Sequence, residues 1–261
     1  MNGEKEVLVV VLALDADPWR AIEEKGQRGT WARAGGDVPV LWLHGVNGGM
    51  ARAIIRVISK GLGIVRANGA LKAFRHKAGG WAAGRNVTVE GRAIRTHVPE
   101  TYLMTNAKTV AAFRHLLDTR DFDYILRTNS STYVDLHGLR DFVQNIPDRG
   151  YYGGAVWKAQ GLEFITGSTI LLSRDLVEYA ATDPEWEFDL IDDMALGGSM
   201  LRAGARPQSV ERADVLTSGD LARLDSGSLT STFLVRCKGE ENREHDIAAM
   251  LRVHELYESS K

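Results

Sequence analysis

The sequence predicts an α/β fold with a mostly parallel central sheet flanked by helices. Two short apolar runs, residues 7–14 and 38–43, are bounded by Gly, Pro and Asp and read as strands buried on both faces. Segments with apolar residues at helical spacing lie between and after them, the clearest being 101–118, with Leu103, Ala107, Val110 and Leu117 on one stripe. Strands and helices alternate in the first half of the chain and mix later, the pattern of a sheet wound with crossover helices.

Taken in order, residues 18–34 suit a helix that ends at Ala34-Gly35-Gly36. Residues 50–62 place Ile54, Ile55, Ile58 and Leu62 on one side and Arg52, Arg56 and Lys60 on another, a helix with a basic stripe. The Gly/Ala-rich stretch 61–91 is expected to be irregular. A strand over 123–127 ends at Thr128-Asn129-Ser130-Ser131, and a helix over 136–145 follows it. Residues 151–157 and 164–172 read as single strands, and Ser173 as the cap of a helix running to about Thr182. A helix over 191–203 stops at Gly204, and a last one spans 246–257 with Asp246 as its cap.

Hydrophobic content of 44% and charged content of 25% exclude wholesale disorder, and 261 residues suffice for one sizeable core. The expectation is one domain over 1–261, with halves 7–135 and 136–261 and a basic, irregular insertion at 44–99. That insertion holds ten lysines and arginines against one acid, Glu90. The chain's net charge is −2, so the remainder is strongly acidic. Such segregation points one face, 52–95, at a phosphate-bearing partner or an anionic membrane surface. Cys237 is the single cysteine, which excludes an intramolecular disulfide and fits a reducing compartment. The run 7–14 is too short to span a bilayer, so a cytoplasmic protein, peripheral to the membrane at most, is expected. The seven histidines show no metal-ligand spacing, and no phosphate-cradling Gly motif or Ser-His-Asp arrangement is legible.

Several ordered blocks carry a resemblance. Asp-Tyr-Ile-Leu-Arg-Thr-Asn-Ser-Ser-Thr-Tyr-Val-Asp at 123–135 resembles the strand and loop of fringe-like β1,3-glycosyltransferases, where the strand ends in Lys-Thr-Asp-Asp-Asp. Arg28-Gly29-Thr30-Trp31 is similar to the family's Arg-x-Thr-Trp, and Thr101-Tyr102 through Lys108-Thr109 to its Ser-Tyr…Leu-Lys-Thr. Tyr152-Gly153-Gly154 and Thr166-Gly167-Ser168…Leu172-Ser173-Arg174-Asp175-Leu176 resemble its Gly-rich strand and Ser-Gly-Gly…Leu-Ser-Arg-Asp-Leu segment. Asp192-Asp193-Met194-Ala195-Leu196-Gly197 through Pro207 looks like Glu-Asp-Val-x-Val-Gly…Arg-x-Gly-x-x-Pro. The blocks span most of 7–207; neither the region after Pro207 nor the basic stretch is covered.

The resemblance implies a GT-A-like, Rossmann-related fold and an inverting transferase, with a UDP-sugar as first donor and a glycan or lipid-linked glycan as acceptor. Asp193 takes the position of the family's catalytic base, and Asp192, Trp157, Gly167 and Ser168 fall on the acceptor side. Arg28, Arg127, Thr128, Asn129, Ser130 and Ser131 fall on the donor side. Where the family holds a divalent metal on acids, this chain has neutral Asn129-Ser130-Ser131, poor ligands for a hard dication. No metal cofactor is therefore expected. Arg236 and Lys238 are the first candidates to neutralise the leaving diphosphate; Asp15 or Asp17 could instead restore the missing acids. Each assignment has a plainer counterpart: a helix dipole for Asp192 and Asp193, a charged edge strand for Arg236 and Lys238, packing for Trp157, a bulge for Gly167. The other functions left open are a catalytically silent nucleotide-sugar or glycan binder and, last, a modifier of nucleic acid.

Overall fold

The computed structural model describes residues 4–33, 36–46, 68–240 and 242–259, with residues 53 and 57. Strand β1 (Val7–Leu12) leads into α1 (Trp19–Ala21), which widens into a π-helical turn over Ile22–Gln27, and then to β2 (Val40–Val46). Helix α2 (Asn68–Ala83), β3 (Val87–Glu90), β4 (Ala93–Pro99), α3 (Thr105–Thr119) and β5 (Tyr124–Asn129) follow. The second half begins with β6 (Thr132–Val134), α4 (Leu136–Gln144), β7 (Tyr152–Gly154), β8 (Val156–Ala159) and β9 (Leu162–Ile165). It continues with β10 (Ile170–Ser173), α5 (Arg174–Thr182), α6 (Asp192–Arg202), β11 (Gln208–Ser209) and β12 (Ala213–Asp214). Helix α7 (Ser218–Arg223), β13 (Leu234–Arg236) and α8 (Glu244–Ser259) complete it.

Eight strands form the central sheet in the order β11-β7-β10-β5-β1-β2-β4-β3. β4, β2, β1 and β5 are mutually parallel, while β10 runs antiparallel between β5 and β7. The sheet is thus mixed, with its parallel part at the centre. Both faces are covered, which explains why the central strands read as unbroken apolar runs. Leu8 and Val10 of β1 join a core with Phe113 and Leu116 of α3, Val177 of α5 and Leu196 of α6. Val7, Val9 and Val11 point the other way, to Leu139 and Val143 of α4 and Met250 and Val253 of α8. A separate small sheet, β12-β13-β6, and the β8–β9 hairpin stand off the main one.

Four expectations change. The described part of 61–91 is regular rather than irregular, consisting of α2 and β3. Its glycines do not break the helix because Gly79 serves as a flat contact: a Cβ there would meet Phe188 at 2.4 Å. The expected strand 151–157 divides at Ala155 and 164–172 divides at a turn over 166–169. Ala155 donates its N–H to Thr169 Oγ1 at 2.8 Å, and Thr166 N–H reaches Ala155 O at 2.9 Å. Asp246 lies inside α8 and is not its cap; its carboxylate accepts the Gly239 N–H at 2.8 Å. The expected helix over 50–62 lies outside the described residues apart from 53 and 57. No described helix is long and apolar enough to cross a membrane.

Candidate functional site

The strand order reverses at β1, with β2 on one side and β5 on the other. Such a switch point opens a crevice beyond the carboxyl ends of the strands, where doubly wound sheets take ligands. Three long-range ties build its floor. Gln27 donates from Nε2 to Asn129 O at 3.1 Å and accepts from Trp42 Nε1 at 3.0 Å, joining the segment after β1 to β5 and β2. Lys108 of α3 is buried, with Nζ at 3.1 Å from Ala13 O and at 2.9 and 3.0 Å from the two Glu100 oxygens. Glu100 in turn accepts the Gly45 N–H at 2.7 Å. Burial pushes the Lys108 ammonium below its ordinary value, and Glu100 opposes that shift.

The second half of the site centres on Gly167. Arg127 is 1% exposed. It donates from Nη1 to Gly167 O at 2.5 Å and pairs through Nη2 with Asp192 Oδ2. Burial lowers the guanidinium to about 10, partly offset by Asp193, so it stays charged at neutral pH. Asp193 accepts the Gly167 N–H on Oδ2 at 3.1 Å. A Cβ at 167 would lie 2.9 Å from Arg127 Nη1 and would push the buried guanidinium off the Gly167 carbonyl, while meeting Asp193 Oδ2 at an ordinary 3.5 Å. Thr128 Oγ1 donates to Ser168 O at 2.6 Å, and Asn129 Nδ2 lies 3.5 Å from Gly167 O. The turn after β5, the turn before β10 and the start of α6 therefore meet at one place. Arg127, Thr128, Asn129, Gly167, Ser168, Asp192 and Asp193 come together there.

The neutral turn is internally satisfied. Asn129 Oδ1 accepts from Ser131 N at 3.0 Å and from Thr132 Oγ1 at 3.3 Å. Ser130 is buried. Ser131 Oγ accepts from Arg243 Nη2 at 2.7 Å. An amide oxygen already shared by two donors and a hydroxyl turned to a guanidinium do not fit a divalent cation, whose ligands must aim lone pairs at it. Asp15, the proposed substitute acid, is held by Arg20 at 2.7 and 2.9 Å, and Asp17 is exposed. Among the described residues, no group of three or more His, Cys, Asp or Glu side chains could hold a metal ion.

The C-terminal strand does return to this turn. β13 pairs antiparallel with β6, setting Arg236 opposite Thr132, and Cys237 N–H reaches Ser131 O at 2.7 Å. Val235 and Cys237 are buried, so Arg236 and Lys238 share the other side of the strand; Arg236 is half-buried and Lys238 exposed. Neither has an ion pair among the described residues. Trp157 is 62% exposed, as a stacking platform must be and a packing residue need not be. It sits on the hairpin that feeds directly into Thr166. Arg28 belongs to the floor, not to the turn at Asn129: it binds Glu23 at 2.8 and 2.9 Å and lies 3.6 Å over the Trp42 ring.

Sequence reasoning missed Gln27, His44, Lys108 with Glu100, Arg212 and Arg243, whose partners lie mostly dozens of residues away. Arg212 is bidentate to Asp214 at 2.6 and 2.9 Å and also reaches Thr166 Oγ1 and Ser168 Oγ. A cavity of 690 Å³ lies at the opposite, amino end of the strands, among Lys5, Val38, Pro39, Phe122 and Arg140. Lys5 there pairs with Asp148 and Arg140 with Asp37, Arg120 is the third cation of its lining, and none of the residues that meet at Gly167 belongs to it.

His44 supplies a pH test of the floor. It is 7% exposed at the end of β2, 3.6 Å from Glu23, and burial with Lys108 and Arg95 nearby lowers it from 6.5 to about 4. The unfolded chain takes this proton below 6.5 while the folded chain refuses it until about 4. The neutral imidazole's stabilising contribution is full above 6.5 and is lost as the pH falls through that window. Urea unfolding should show His44 costing about 2 kcal/mol between pH 7 and pH 5. In His44→Gln that part of the acid slope disappears; an unchanged slope refutes the assignment.

A scan against protein-family models finds no match to this chain, and a search of curated proteins finds none either.

Proposed function

We propose that this chain is an inverting glycosyltransferase with a fringe-like, GT-A-type fold, moving a sugar from a UDP-sugar to a hydroxyl of a glycan or lipid-linked glycan. The observation that carries the reading is Asp193, a carboxylate pinned by the Gly167 N–H beside the turn at Asn129, at the carboxyl end of the sheet. The strand order β4-β2-β1-β5 supports it, being that of a nucleotide-binding half-sheet. In the reaction, Asp193 takes the proton of the acceptor hydroxyl as its oxygen attacks the anomeric carbon. The bond from that carbon to the phosphate oxygen breaks, and the diphosphate leaves with the electron pair. Arg236 and Lys238 offer charge to the leaving group, and Trp157 a stacking face to the acceptor.

Sugar release from a panel of nucleotide-sugars, with glycan acceptors, tests this. Turnover is expected to survive EDTA, because the turn's donors do not fit a metal; a requirement for manganese would overturn that part. Binding of a nucleotide-sugar without turnover, for every acceptor tried, would favour the second reading, a silent binding module, which the neutral turn makes the nearest competitor. Contact of the basic stretch 52–95 with anionic lipid is part of the proposal for a lipid-linked acceptor.

A further inference from the structure

The groups that meet the leaving diphosphate can be narrowed. Resting on the glycosyltransferase reading, we propose that Arg243 is the principal cation of a diphosphate subsite built on the neutral turn, with Ser131 as its seat. Arg243 follows β13, which delivers the chain to this turn through the bond from Cys237 N–H to Ser131 O. Asp246, fully buried, accepts the Gly239 N–H on Oδ1 at 2.8 Å and forms an ion pair through Oδ2 with Arg243 Nη2 at 2.9 Å, so one carboxylate ties Gly239 and the guanidinium together. The same Nη2 amine lies 2.7 Å from Ser131 Oγ, and Nε has no hydrogen-bond partner among the described residues. About a quarter of the side chain, 24%, remains exposed.

The identity of residue 131 follows from this arrangement. Arg243 already shares its charge with Asp246, so a second carboxylate at 131 would leave the three groups net negative and repel a phosphate, whereas a serine seats the guanidinium and adds no charge. Guanidinium at this place and a metal-binding acid at 131 are therefore alternatives. Arg236, in register with Thr132 one residue along the turn, adds a second positive charge without an ion pair among the described residues. Arg212 does not compete for the role, since both of its terminal donors are engaged by Asp214, Thr166 and Ser168.

Calorimetric titration of the full chain with UDP, in EDTA, tests the proposal. Arg243→Gln is expected to weaken UDP by about tenfold or more, as expected for loss of a charge-assisted phosphate contact. Arg243→Lys should recover part of that loss. Ser131→Ala, which removes the seat but leaves the guanidinium, should weaken UDP by less than Arg243→Gln does while the protein stays folded by circular dichroism, a graded loss that a purely structural Arg243 would not produce. Arg120→Gln, at the opposite end of the sheet, controls for loss of general positive charge and should bind as wild type. If Arg243→Gln unfolds because Asp246 is left unpaired, Arg243→Gln with Asp246→Asn replaces it. UDP affinity unchanged in a folded Arg243→Gln protein overturns the role. Failure of the wild-type chain to bind UDP, GDP, ADP or inorganic pyrophosphate would instead sink the glycosyltransferase reading, and the subsite with it.

Discussion

Asp193→Asn is expected to lower turnover by two to four orders of magnitude, the usual contribution of a positioned general base, while leaving UDP affinity within about twofold. The isosteric amide can still accept the Gly167 N–H through its oxygen, so the turn before β10 keeps its geometry. What is lost is the ability to take a proton. Asp192→Asn should behave differently, because Asp192 is 8% exposed and paired with Arg127 rather than turned toward solvent. Its substitution should first show in stability. The comparison separates the proposed base from its neighbour, which share a helix start and differ in what they touch. Equal and small losses of turnover in both variants would return the two acids to the plainer role of favouring the helix dipole.

The same pair shows what was legible in the sequence and what was not. The central strands were readable because a sheet covered on both faces demands apolar residues on both sides, and 7–12 and 40–43 contain little else. The turn at Asn129, the glycine at 167 and the acids at 192 and 193 were readable as ordered blocks, and the structure brings them within hydrogen-bonding reach. The division of 151–157 and 164–172 was hidden because each break depends on the other: Gly154, at φ 146°, admits Thr169 O where a Cβ would meet it at 2.0 Å. Gln27 to Asn129 and Arg243 to Ser131 were hidden for the same reason. Their partners lie 102 and 112 residues away, and nothing local marks a glutamine or an arginine for such a contact. The expected irregularity failed over 68–91, the described part of that stretch, because glycine content says nothing about a phenylalanine, Phe188, waiting to pack on a bare helix face.

Arg127→Met should produce the largest loss of stability, about 3–5 kcal/mol by urea unfolding, because it strips the counter-charge from a buried carboxylate. The methionine fills much of the space, so the cost is electrostatic: Asp192 would remain charged and buried, and Gly167 O would lose its donor. Adding Asp192→Leu should recover most of the loss, since removing both charges removes the penalty as well as the pair. Simple addition of the two single-variant losses would mean that the residues act independently and that Arg127 serves only Gly167. The consequence for chemistry runs through Gly167, whose carbonyl is held by Arg127 and whose N–H is held by Asp193. With Arg127 gone the turn loses one of its two anchors, so a folded Arg127→Met protein should lose kcat while UDP affinity changes little. Restoring stability with Asp192→Leu should not restore kcat, because the Gly167 carbonyl still lacks its donor. Turnover that recovers with stability would confine Arg127 to the fold; turnover that stays low in the stable double variant would make it a positioning residue for the turn that holds Asp193.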